Sequence, residues 1–190
     1  MDDGTTAVRR GVRATSTGRF VPAGGLPLVV MAATALTVAS TRGDAWLVAT
    51  LVLIAPPLSA IAIIDARTHR IPNRLTLAVL AATVVAVAGR AFTEPGVLAR
   101  AAVAAAAVGL FYLLLWRFAD LGLGDVKLVA TLALVAGWSG WQTVVVFVVV
   151  ANLLQTPVAV WHLARQRRDR IAFAPGLVIG LYLAVAVGSG

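Results

Sequence analysis

Residues 45–64 and 171–190 are two stretches of 20 residues without a charged side chain, and residues 128–164 run for 37 without one. A helix crosses the hydrocarbon core of a bilayer in roughly 20 apolar residues, so each shorter run is one crossing and the longer one holds two. A soluble reading would need a single core that hides all of this, and hydrophobic residues make up 60% of the chain against roughly half in soluble domains. With 190 residues there is too little polar chain to cover such a core. Backbone N–H and C=O groups find no water inside lipid, so a span must satisfy them internally as helix. The expected fold is therefore all-α, a polytopic membrane helix bundle.

Seven apolar runs mark the expected spans, at about 24–41, 45–64, 75–92, 97–116, 126–138, 142–162 and 173–189. The long run is divided at Gly137-Trp138-Ser139-Gly140-Trp141, where glycines permit a turn and the two tryptophans suit a membrane interface. Pro56-Pro57 predicts a kink in the second span. Residues 1–23 read as a flexible basic tail and 24–190 as one transmembrane domain. Its core is about 45–190, six helices preceded by one N-terminal helix.

Charge sets the expected orientation. The net charge of +8 would suggest nucleic acid in a soluble protein, but here the basic residues sit in alternate loops. Segments 1–23, 65–74, 117–127 and 163–170 hold thirteen of them, and the opposite loops hold only Arg42, Arg90 and Arg100. By the positive-inside rule the N-terminus is cytoplasmic and the C-terminus outside. The protein is placed in the cell's inner membrane, in contact with lipid and not with nucleic acid.

Acidic residues narrow the chemistry. Asp2, Asp3, Asp44, Glu94 and Asp169 fall in the tail or in loops and read as solvated surface. Asp65 instead follows a 20-residue apolar run directly, and Asp125 opens another. An ionisable group at a membrane boundary is costly and suggests function; the alternative for either alone is an Asp paired with a nearby Arg to pin a helix end. Alternating topology brings both to the same cytoplasmic depth. Two carboxylates at one depth can work as an aspartic dyad, one activating water as base and the other, protonated, donating to the scissile carbonyl. Gly122 and Gly124 would let a substrate backbone approach. Ile71-Pro72-Asn73 makes a rigid exit after Asp65, with Asn73 capping the next helix. Lys127, the sole lysine, adds local positive potential or snorkels to the interface. Helix dipoles make Asp65, at a helix C-terminus, the expected proton holder and Asp125 the expected base. Asn152, Gln155 and Thr156 read as interhelical hydrogen-bond formers. His69 and His162 stand alone and the chain has no cysteine, so no metal site is expected.

Asp65, Ile71-Pro72-Asn73 and, 60 positions after Asp65, Gly122-Leu123-Gly124-Asp125-Val126-Lys127-Leu128 together resemble the type IV prepilin peptidases, a family of GxGD aspartic peptidases. Ile171-Ala172-Phe173-Ala174-Pro175-Gly176 resembles that family's late Pro-Phe-Gly-Pro stretch and departs from it at Ala172 and Ala174. The resemblance implies that Asp65 and Asp125 are catalytic, with no cofactor. It implies as substrate a pilin-like precursor whose short basic leader is cut at the cytoplasmic face. The cysteine-rich segment of larger relatives, associated with methyl transfer, has no counterpart here. Two other classes compete: a small transporter using the aspartates as ion sites, and a silent scaffold for filament assembly. The transporter reading expects acidic residues near the midplane and a two-fold repeat, and the sequence has neither. Oligomeric state is not legible.

Overall fold

A computed structural model describes residues 25–40, 44–119, 121–164 and 172–188. The basic tail, Asp2, Asp3, Arg42, Asp169, Ile171 and Arg165 through Arg170 lie outside these residues, as does the side chain of His162. Among the described residues every regular element is helical: α1 (Gly25–Ser40), α2 (Ala45–Thr68), α3 (Asn73–Ala91), α4 (Gly96–Ala119), α5 (Leu123–Ser139), α6 (Trp141–Ala164) and α7 (Ala174–Gly188). The helices α2, α3, α4 and α6 are long and apolar enough to cross a membrane. The other three have 15 to 17 residues.

Two of the short helices form the centre. A helix apolar on all sides belongs inside a bundle, and α5 is buried from Val126 to Trp138 at ten positions. It touches α3, α4, α6 and α7, while α7 touches α1, α2, α5 and α6. Lipid removes the usual hydrophobic drive between helices, so association depends on close packing of small residues and on interhelical hydrogen bonds. Gly137 meets that need between α4 and α5, where a Cβ would lie 2.7 Å from the Ala104 Cβ and 2.8 Å from the Ala101 Cα. Gly180 does the same between α6 and α7, with the Ala151 Cα 3.0 Å from where its Cβ would be.

A polar latch ties the end of the bundle away from the two aspartates. Asp44 caps α2 by accepting from the Leu47 N–H at 3.0 Å, and its second oxygen accepts from the Trp138 indole N–H at 3.0 Å. Arg100 donates to the Gly137 and Trp138 carbonyls at 2.8 and 2.6 Å, filling acceptors that a helix C-terminus leaves open. Glu94 pairs with both Arg90 and Arg100. Asp44 and Glu94 are thus engaged rather than simply solvated. Trp138, expected at the lipid interface, is 3% exposed because its indole serves Asp44; Trp141 is the exposed one of the pair. Gly140 makes the intervening turn with φ +126°, a conformation that favours glycine.

At the other end α2 continues through Pro56 and Pro57 to Thr68 without interruption. His69 closes it in a left-handed conformation (φ 50°), its N–H donating to the Asp65 carbonyl at 2.8 Å. The next helix is capped differently from expectation. Pro72 takes the N-cap place and its carbonyl accepts from the Leu75 and Thr76 N–H groups. Asn73 is the first residue of the helix and makes no capping bond, because proline's fixed torsion has already set the entry.

Candidate active site

Asp65 sits on the last turn of α2 and is 4% exposed. Its Oδ2 accepts from the Ala174 backbone N–H at 2.9 Å, across 109 positions of chain, and the Phe173 amide bears on the same carboxylate. Ala174 opens α7, with Pro175 in the first turn where proline is well tolerated. The departure from the family stretch at Ala174 therefore removes nothing, since the contact is a backbone N–H that any residue but proline supplies. His69 acts on Asp65 electrostatically.

Asp125 lies half-buried on the first turn of α5, its own N–H donating to the Gly122 carbonyl at 3.0 Å. A Cβ on Gly122 would stand 2.8 Å from Asp125 Oδ2, and one on Gly124 would stand 3.1 Å from the Ile71 Cβ. Each glycine thus has a packing use of its own in the folded chain. Gly122 clears the space that the carboxylate itself occupies, and Gly124 lets α5 seat against the chain entering α3. Asp125 Oδ1 is buried with no hydrogen-bond partner among the described residues. The charge of Asp65 acts on Asp125, so residues 60 positions apart share one electrostatic site. Tyr112 of α4 also lies within range of Asp125's charge; its hydroxyl accepts from Asn152 Nδ2 at 2.8 Å.

The dipole contrast between the two carboxylates does not survive folding. Asp65 ends its own helix, but it also accepts from the first turn of α7, where the dipole is positive. Both carboxylates therefore meet a helix N-terminus, and dipoles no longer single out Asp65 as proton holder.

The remaining candidates divide. Lys127 is exposed and lines a cavity of about 550 Å³ between α3, α4 and α5, with Asn73 and Thr76 near it and Leu77, Leu80 and Leu134 further along. Pro72 holds the entry to α3. Asn152 bonds across helices to Tyr112 of α4 and Gln155 to the Ala172 and Phe173 carbonyls just before α7, whereas the Thr156 hydroxyl donates within its own helix to the Asn152 carbonyl. Among the described residues no cluster of three or more His, Cys, Asp or Glu could hold a metal ion. Sequence reasoning passed over Tyr112 and the Ala174 amide. A backbone donor carries no residue signature, and Tyr112 looks like any aromatic in an apolar helix.

No curated protein and no solved structure matches the chain. The type IV leader peptidase family matches it over residues 51–160. That stretch is more than half of the chain and runs from the first half of α2 through most of α6, taking in both aspartates but not residues 171–180. With its long apolar helices bearing the matched residues, this integral membrane protein belongs to the type IV leader peptidase family.

Proposed function

We propose that the chain is an aspartic endopeptidase whose dyad is Asp65 and Asp125. It removes the short basic leader of a pilin-like precursor at the cytoplasmic face of the inner membrane, from a bundle of seven spans with its N-terminus inside. The observation that carries this reading is the pairing at one end of the bundle. Asp65 is held by the Ala174 backbone N–H, Asp125 keeps a buried oxygen without a partner among the described residues, and the charge of Asp65 reaches Asp125.

The chemistry then needs no further group. One carboxylate takes a proton from water as the water oxygen attacks the scissile carbonyl carbon. The other, protonated, gives its proton to the carbonyl oxygen. When the tetrahedral intermediate collapses, the first carboxylate gives the leaving amine nitrogen the proton it took from water, and the C–N bond breaks. The second carboxylate recovers its proton from the gem-diol hydroxyl as the new carboxyl product forms. The cavity beside Lys127 offers an apolar substrate helix a lateral berth. From Lys127 to Leu134 is seven residues, or ~10 Å along α5.

Asp65→Asn and Asp125→Asn test the reading. Each should abolish leader cleavage of a co-expressed pilin precursor while the protein accumulates normally in the membrane. Near-normal cleavage by either variant overturns the dyad.

A further inference from the structure

We propose that Gln155 is a positioning residue for Asp65, acting through two peptide planes of the 172–174 segment; as a role in cleavage this rests on the dyad reading above. Gln155 lies on α6 and is 6% exposed. Its Nε2 donates to the Ala172 carbonyl at 3.1 Å and to the Phe173 carbonyl at 2.8 Å. Each of these carbonyls shares a rigid, trans peptide plane with the next residue's N–H. The Phe173 C=O is therefore the far end of the unit whose N–H, on Ala174, reaches Asp65 at 2.9 Å. The Ala172 C=O is the far end of the unit whose N–H, on Phe173, bears on the same carboxylate.

One side-chain amide thus grips the back of two successive planes, and their front edges face Asp65. Because the planes are stiff, fixing the oxygens fixes where the hydrogens point. Each accepted bond also polarises its peptide and strengthens the N–H at the opposite end. The seat for this grip is cut into α7: a Cβ on Gly176 would lie 3.0 Å from Gln155 Cδ and 3.2 Å from Nε2. The Gln155 amide donates to these two carbonyls and not to Asp65, so its hydrogen bonds reach the carboxylate through the backbone.

A purely packing role predicts that shape alone matters, and two variants separate it from positioning. Gln155→Met keeps the volume and loses both donors. Gln155→Glu keeps the shape and sets acceptor against acceptor. Both should lower kcat for leader cleavage by roughly tenfold to a hundredfold, the scale of a small misplacement of a reacting group, with KM little changed. Infrared difference spectra supply a readout independent of cleavage. In the Asp125→Asn background, the carboxyl band that disappears on adding Asp65→Asn belongs to Asp65, and Gln155→Met should shift it. An unmoved band in folded Gln155→Met and Gln155→Glu proteins overturns the relay, as does unchanged kcat in both when Asp65→Asn is inactive. Cleavage by Asp65→Asn would instead overturn the dyad, and the infrared band would still judge the relay.

Discussion

Gly122→Ala offers a sharp test of the site, because it should separate activity from stability. The new Cβ would stand 2.8 Å from Asp125 Oδ2, about 0.6 Å inside ordinary contact distance. The atom in the way is the far end of a side chain, not backbone, so the carboxylate can swing aside and the helix need not move. Folding should then change little. The chemistry should not escape so lightly, since misplacing a reacting group by ~1 Å can cost about a hundredfold. A shift of this size predicts a fall in kcat of roughly tenfold or more, or upwards of ~1.4 kcal/mol in the barrier. Purified protein in detergent micelles, cleaving a pilin precursor under saturating conditions, gives kcat, and thermal unfolding of the same preparation gives stability. Gly124→Ala is the internal comparison. Its clash is with the Ile71 Cβ at 3.1 Å, close to the main chain, so it should disturb the seating of α5 on the α3 entry and show more in stability than in kcat. Wild-type kcat in Gly122→Ala would refute the claim that this glycine makes room for a working carboxylate.

Other expectations concern the bundle. Asp44→Ala removes a helix cap and strands the Trp138 indole, and should lower stability by about 1–3 kcal/mol in denaturant titration while kcat per folded molecule stays unchanged. Gly137→Ala forces α4 and α5 apart against Ala101 backbone and should cost about 1–3 kcal/mol; Gly96→Ala, with nothing within 4 Å, should be neutral in the same assay. Reporter fusions at Glu94 and Gly190 should report outside and one at Arg167 inside, and a cytoplasmic Gly190 would break the proposed orientation.

Helix placement was readable from the chain because charge interrupts apolar runs sharply. Each of the seven expected runs became a helix, with ends moved by up to four residues. What could not be read was which face each helix buries. Helices such as α5 and α7 are apolar on every side, so no periodicity points inward. Asp65, Asp125 and the glycines before Asp125 stood out because polar and small residues are conspicuous at the edge of an apolar run. The partner of Asp65 did not, since it is a backbone amide. Trp138 was misplaced for a related reason: an indole at a helix end suits lipid as well as it suits a carboxylate, and only the fold brings Asp44 beside it. Helix dipoles do not choose the proton holder, because the helix that carries Asp65 and the one whose first turn meets it act on the carboxylate in opposite senses.

The hydrogen bond between α2 and α7 also has a timetable. Translation delivers residues in order at about 5–20 per second, and the Ala174 amide trails Asp65 by 109 positions. For some seconds a nascent chain holds both carboxylates without the amide that fixes the first. Asp65 then has no α7 to brace it, and Gln155 has no carbonyls to grip. A ribosome-bound chain stopped short of α7 should therefore be inert, so that α7, which follows both aspartates in the chain, completes the proposed site.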